Sequence, residues 1–155
     1  MIRIALHGAS GRMGKAVEAL LDGRFEVVAH LDADSSATDY RAALEACDLV
    51  IDFSTAQAMD KLCSALEGHP RSLVSGTTGM SDGQMRRLRA LAEKAPVLWS
   101  SNMSLGVTVL KTLIAQASRQ LAEWDLELVE THHRHKVDAP SGTALTLAQV
   151  AADER

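Results

Sequence analysis

The chain has 155 residues, 46% of them apolar and only 3% aromatic, with a formal net charge of −4. That is enough for one ordinary domain, or one domain with part of another, around a core built mainly from Ala, Leu, Val and Ile. The acidic balance excludes a generally basic surface, and with it bulk nucleic-acid binding; the longest apolar run falls far short of a membrane span, and no secretory pattern precedes the first strand.

Ile2, Ile4 and Leu6 lie in a short apolar run, read as a strand, that ends at a glycine cluster. Lys15 to Leu21 carries Val17, Leu20 and Leu21 at helical spacing. Phe25 to Leu31 reads as a second strand ending at Asp32, followed by a polar segment. Asp48 to Phe53 is a third strand, Thr55 to Leu66 a helix, and Ser72 to Ser75 a short strand running into Gly76-Thr77-Thr78-Gly79. Ser81 suits an N-cap for a helix through Lys94, and Pro96 to Trp99 is a fifth strand. Alternating strands and helices with short connections predict right-handed βαβ units and a parallel sheet. Beyond Asn102 the pattern changes: Val107, Leu110, Leu113, Ile114, Ala117 and Leu121 trace one face of a long helix. Trp124 to Glu130 reads as a strand, and Thr143 to Ala152 as a last helix. A domain boundary is expected near Ser104. Cys47 and Cys63 belong to no CxxC pair, which fits buried thiols in a reducing, cytoplasmic setting.

The stretch GASGRMGKA sets Gly8, Gly11 and Gly14 between the first strand and the first helix. Gly8 permits a tight turn, Gly11 a close backbone approach to a pyrophosphate at the helix N-terminus, and Gly14 close packing of helix on strand. A P-loop is excluded: five residues separate Gly8 from Gly14, and Ala16 follows Lys15 where a Mg²⁺-binding hydroxyl is needed. The alternative is a glycine turn that binds nothing, against which the strand–turn–helix context counts. Asp32, eighteen residues beyond Gly14, stands where an acidic residue accepts from ribose hydroxyls; the alternative is an ordinary polar strand-end residue. The ends of strands three, four and five carry DFS, GTTG and Ser100-Ser101-Asn102-Met103, all at the edge where ligands of open parallel sheets lie.

THHRHKVDAPSGTA, Thr131 to Ala144, crowds His132, His133 and His135 together with Arg134 and Lys136. Interleaved cations disfavour a metal site, and Glu130 and Asp138 are the only carboxylates close in sequence. A solvated basic loop is one reading. The other is an anion-binding, proton-delivering loop. Lys136 supplies a point charge for a carboxylate, a histidine donates a proton near neutral pH, and Ser141-Gly142-Thr143 opens a helix whose N–H groups form an anion nest. Such a loop suits a small dicarboxylate protonated as hydride arrives from a nicotinamide.

HGASGRMG, DFS, SGTTG, SNMSLGV and ELVETHHRHKVDAPSGTA occur in one order over nearly the whole chain. Together they resemble the 4-hydroxy-tetrahydrodipicolinate reductases (dihydrodipicolinate reductases) of bacterial lysine and diaminopimelate biosynthesis. The resemblance implies a Rossmann-like parallel sheet with helices on both faces over residues 1–104, followed at 105–155 by the start of an α+β substrate domain. It implies reduction of a cyclic dicarboxylic imine with NADH or NADPH. Gly8, Ala9, Ser10, Gly11, Arg12 and Met13 match the dinucleotide loop and Asp32 the ribose contact; Gly76, Thr77 and Thr78 match a second cofactor segment, and Ser100, Ser101, Asn102 and Met103 a third. His132 matches the proton donor/acceptor and Lys136 the second catalytic donor, while His133, Gly142 and Thr143 match substrate contacts. Some members place Arg after the acidic residue, where it meets the 2′-phosphate of NADP; Ala33 stands here, which favours NADH. Members of the family continue well beyond the position of Arg155, with a larger substrate-domain sheet that usually forms a homotetramer interface, so this chain is expected to be short of that part. Two further readings stay open: a Rossmann oxidoreductase acting on another small acid, and a non-catalytic nucleotide-binding fragment. No nucleic-acid or membrane partner is expected.

Overall fold

The computed structural model describes residues 1–134 and 139–155. The chain divides into two compact units, Met1–Ser100 and Ser101–Arg155. Among the described residues no helix is long and apolar enough to cross a membrane.

The first unit alternates β1 (Ile2–His7), α1 (Arg12–Leu20), β2 (Phe25–Leu31), α2 (Ala37–Ala46), β3 (Leu49–Asp52), α3 (Ala56–Gly68), β4 (Ser72–Ser75), α4 (Asp82–Ala92) and β5 (Val97–Trp99). The strands form one sheet in the order β2-β1-β3-β4-β5, every pair parallel. This is the doubly wound α/β architecture expected from the alternation. The chain steps outward from β1 to β2 and then crosses back to β3, so right-handed crossovers put α1 on one face and α2, α3 and α4 on the other. The main core lies on that second face. Tyr40, Ala43 and Leu44 of α2, Met59, Leu62 and Leu66 of α3, and Leu88 and Leu91 of α4 pack with Ala5, Leu31, Val50 and Leu73 of the sheet.

The segment after Asp32, read above only as polar, contains α2. Its start carries a full capping box: Asp39 N donates to Ser36 Oγ (3.2 Å), and Ser36 N donates to Asp39 Oδ2 (2.7 Å). Tyr40, Ala43, Leu44 and Cys47 then repeat at helical spacing, all buried. The polar lead-in Asp34-Ser35-Ser36 hid a short, Ala-rich amphipathic stripe whose helix is held by tertiary packing more than by propensity. At Ser81 a second box forms with Gln84, as its N-cap position predicts.

The second unit holds α5 (Leu105–Gln120) and α6 (Gly142–Asp153), capped by Ser104 and Ser141. The strand expected over Trp124 to Glu130 does not form; the segment is irregular, with Trp124, Leu126, Leu128 and Val129 exposed. A strand exists only through a partner's N–H and C=O groups, and among the described residues nothing pairs with this one.

Candidate functional site

The strand order reverses between β1 and β3, so the carboxyl ends of these two strands frame the crevice in which open α/β sheets hold ligands. The glycine turn fills its floor. Gly8 has φ +79°, and a Cβ there would lie 2.6 Å from the Phe53 carbonyl oxygen. Gly8 N and Ala9 N both donate to the Leu31 carbonyl, 2.8 and 3.3 Å away. Gly11 is the N-cap of α1, and Arg12 and Met13 open its first turn. A Cβ on Gly14 would sit 2.3 Å from the Gly8 carbonyl oxygen, so helix and turn meet backbone to backbone. A cavity of about 340 Å³ opens above, lined by Gly8, Ser10, Gly11, Asp32, Ser54 and Thr55 among others. The Asp32 carboxylate borders it and accepts from Ser10 N (3.2 Å) and Ser10 Oγ (2.9 Å).

Under the crevice runs a buried polar row. Register pairs His7 with Asp52 and Asp52 with Ser75, the last paired positions of β1, β3 and β4. His7 Nδ1 lies 2.8 Å from Asp52 Oδ1, and His7 Nε2 lies 2.8 Å from Tyr40 Oη. Ser75 Oγ donates to Asp52 Oδ2 and Ser54 Oγ to Asp52 Oδ1, each at 2.6 Å. Burial works against the Asp52 carboxylate, but hydrogen bonds from His7, Ser54 and Ser75 outweigh it and hold its pKa below the ordinary value. Burial, then the nearby Asp52 and Asp32 charges, push the Tyr40 phenol up to about 12, so it keeps its proton. Above the row, Ser54 N donates to Thr77 Oγ1 (3.1 Å), and Trp99 Nε1 donates to the Thr77 carbonyl (2.9 Å). Gly76, Thr77 and Thr78 thus stand at the end of β4, and Ser100 follows β5 with its N–H on the Ser75 carbonyl (3.1 Å).

Ser101, Asn102 and Met103 belong to the second unit. There Asn102 Nδ2 donates to Thr143 Oγ1 (3.0 Å), and its Oδ1 accepts from Ser104 N (2.8 Å). Glu130 organises the start of α6. Its carboxylate accepts from Ser141 N (2.6 Å) and Ser141 Oγ (2.5 Å). His132 Nε2 lies 2.7 Å from Glu130 Oε2. An ionised carboxylate only accepts, so Nε2 carries the proton in this pair. The anion held at Ser141 is therefore the chain's own Glu130. His133, Gly142 and Thr143 flank this cluster in sequence, with His133 and Gly142 exposed. Lys136 and His135 lie outside the described residues.

The hydrogen bonds from Ser141, reinforced by His132, hold the Glu130 carboxyl at about 2, below its ordinary 4.5. A folded pKa below the unfolded one means the contribution is complete above pH 4.5 and is lost as pH falls through about 2. The Ser141 amide resonance should therefore titrate with that low midpoint in wild type. In Glu130→Gln the titration should vanish; a midpoint at the ordinary value would show that Glu130 is not held at Ser141.

His7, Tyr40 and Glu130 were not singled out as functional from the sequence, and Asp52 only as the first residue of the DFS motif at the ligand edge. A histidine and an aspartate closing largely apolar strands were the available signal for His7 and Asp52.

A family model described as "Dihydrodipicolinate reductase, N-terminus" matches residues 2–103, and its C-terminal counterpart matches 106–155. The 4-hydroxy-tetrahydrodipicolinate reductase of Wolinella succinogenes is 42% identical over the whole chain, and that of Sulfurimonas denitrificans 44%. The chain spans 66% of the length of each of these relatives. Among solved structures, the dipicolinate-bound dihydrodipicolinate reductase of Paenisporosarcina sp. TG-14 superposes with a TM-score of 0.79 at 26% identity. That match covers all of this chain and 67% of the solved one.

Proposed function

The chain belongs to the dihydrodipicolinate reductase family, and from that premise we propose that the natural protein reduces 4-hydroxy-tetrahydrodipicolinate to tetrahydrodipicolinate with NADH or NADPH, a step of lysine and diaminopimelate biosynthesis. The observation that carries this reading is the glycine turn at the switch point. It is a cradle any Cβ would fill, set under a cavity bordered by an acidic residue. A dinucleotide fits these residues: the N-terminus of α1 would hold its pyrophosphate and Asp32 its adenosine ribose. Residues 1–104 are then the dinucleotide-binding domain and 105–155 the first part of the substrate domain.

When bound, the nicotinamide supplies a hydride. Gly8 to Met13, Asp32, Gly76 to Thr78 and Ser100 to Met103 would hold and orient the dinucleotide. His132, with Lys136, delivers the proton. His133, Gly142 and Thr143 grip a substrate carboxylate, with Asn102 fixing the Thr143 hydroxyl. Glu130 orients His132 and Ser141, the N-cap of α6, together. In this reading the protein is a cytoplasmic homotetramer. The exposed apolar side chains of α5 and of Trp124 to Val129 support an assembly that covers them.

Cofactor choice follows from charge. Asp32 and Asp34 both border the cavity, and Ala33 between them offers no cation. Two basic residues stand against a preference for NADH, Arg12 in the first turn of α1 and His30 in β2; His30 is engaged by Glu18 (2.8 Å), and Lys61 donates to the Ala33 carbonyl (2.5 Å). A 2′-phosphate would meet two carboxylates, so kcat/KM should favour NADH over NADPH by about tenfold, a difference of ~1.4 kcal/mol. Asp32→Asn should narrow that ratio by raising NADPH use. Steady-state kinetics with both nucleotides tests this, and a wild-type preference for NADPH contradicts it.

A further inference from the structure

The row His7–Asp52–Ser75 has no role in any step proposed above, yet each of its side chains is fully buried, at 0% exposure. Burying a carboxylate, an imidazole and a hydroxyl is costly unless all are hydrogen-bonded, and apolar side chains would fill the same space without that penalty. What apolar groups cannot do is direct turns. This row reaches every turn that borders the crevice. Asp52 Oδ1 accepts from Ser54 N (3.1 Å) and Ser54 Oγ (2.6 Å), fixing the turn after β3. Ser75 Oγ accepts from Thr77 N (3.3 Å), fixing the turn after β4. His7 meets Tyr40 Oη edge-on, with ring centroids 5.5 Å apart, and that hydroxyl lies 3.5 Å from the Asp32 carbonyl, after β2. Asp32 in turn holds Ser10 of the glycine turn. Backbone bonds close the set: Phe53 N donates to the His7 carbonyl (3.0 Å), and Gly76 N to the Asp52 carbonyl (2.9 Å).

We propose that His7 and Asp52 are positioning residues for the dinucleotide, setting through Tyr40, Ser54 and Ser75 the spacing of the turns that line the crevice. The inference rests on the reading that this crevice holds NADH or NADPH. Tyr40 is the arm toward Asp32, Ser54 the arm toward the end of β3, and Ser75 the arm toward Thr77. Loss of His7 or of the Tyr40 hydroxyl frees the Asp32 turn and leaves a buried partner unpaired, which weakens nucleotide binding without touching the proton-delivery loop.

The test uses the full-length natural protein, with NADH dissociation constants from nucleotide fluorescence, steady-state kinetics and thermal midpoints. His7→Asn and Tyr40→Phe should each raise the Kd and KM for NADH about tenfold. The KM for the imine substrate and kcat at saturating NADH should stay at wild-type values. The double variant should lose less than the product of the single losses, because both act through one network. Leu66→Val, in the core of α3, should lower the thermal midpoint and leave the Kd unchanged, which separates positioning from stability. Should His7→Asn fail to fold, Tyr40→Phe, which removes a single oxygen, decides alone. Variants that bind NADH as wild type does overturn this inference and leave the crevice reading intact. A wild-type protein that binds neither nucleotide overturns both.

Discussion

Replacing His132 with Gln in the full-length natural protein should lower turnover by about 10²–10⁴-fold, the usual contribution of a positioned general acid, and leave NADH affinity unchanged. The separation of effects is the informative part. His132 lies in the second unit and its ring pairs with Glu130 (2.7 Å), whereas the glycine turn and Asp32 lie in the first. Glutamine keeps a donor that can still meet Glu130 but cannot give up a proton near neutral pH. Lys136→Ala should damage both turnover and substrate KM, since it removes a proton donor and a carboxylate partner at once. Stopped-flow and steady-state kinetics check both variants. Wild-type turnover in the two of them removes this loop from the chemistry.

A methyl group at Gly14 is the second large perturbation. It would lie 2.3 Å from the Gly8 carbonyl oxygen and 2.8 Å from the Ala9 Cα, both backbone atoms that no rotamer can move aside. The helix must lift off the turn, or the turn must open. Overpacking of this kind costs about 1–3 kcal/mol, and the shift falls on the N–H groups proposed to receive the pyrophosphate. Gly14→Ala should therefore lower the thermal midpoint and abolish NADH binding, as seen by calorimetric titration. Tight NADH binding by a folded Gly14→Ala protein would show that the α1 N-terminus does not hold the nucleotide.

How far these sites were legible in the sequence depended on the kind of interaction. Gly8, Gly11 and Gly14 act through local backbone geometry between β1 and α1, and their spacing alone carries that geometry. Ser81 with Gln84 and Thr55 with Ala58 are likewise local, and the helices they cap lie where the pattern puts them. The α2 helix was missed because its stripe is short and Ala supplies most of its apolar residues. The Trp124 to Glu130 segment misled for the opposite reason: alternating apolar residues describe a strand's side chains, while its existence depends on a partner's backbone. Least legible of all was the His7–Asp52–Ser75 row. Its members are far apart in sequence, and only the β1-β3-β4 register brings them side by side. Glu130 was visible as a carboxylate near the histidines, but nothing local said that it would fold back onto Ser141, eleven residues ahead.

The most direct measurement follows nicotinamide absorbance while the full-length natural protein meets freshly generated 4-hydroxy-tetrahydrodipicolinate, with the product identified by mass. The expected result is NADH oxidation that requires both protein and substrate, yields tetrahydrodipicolinate mole for mole, and collapses in His132→Gln while NADH still binds. A wild-type protein that binds NADH tightly but leaves it unoxidised in the presence of that substrate would contradict the proposed reduction.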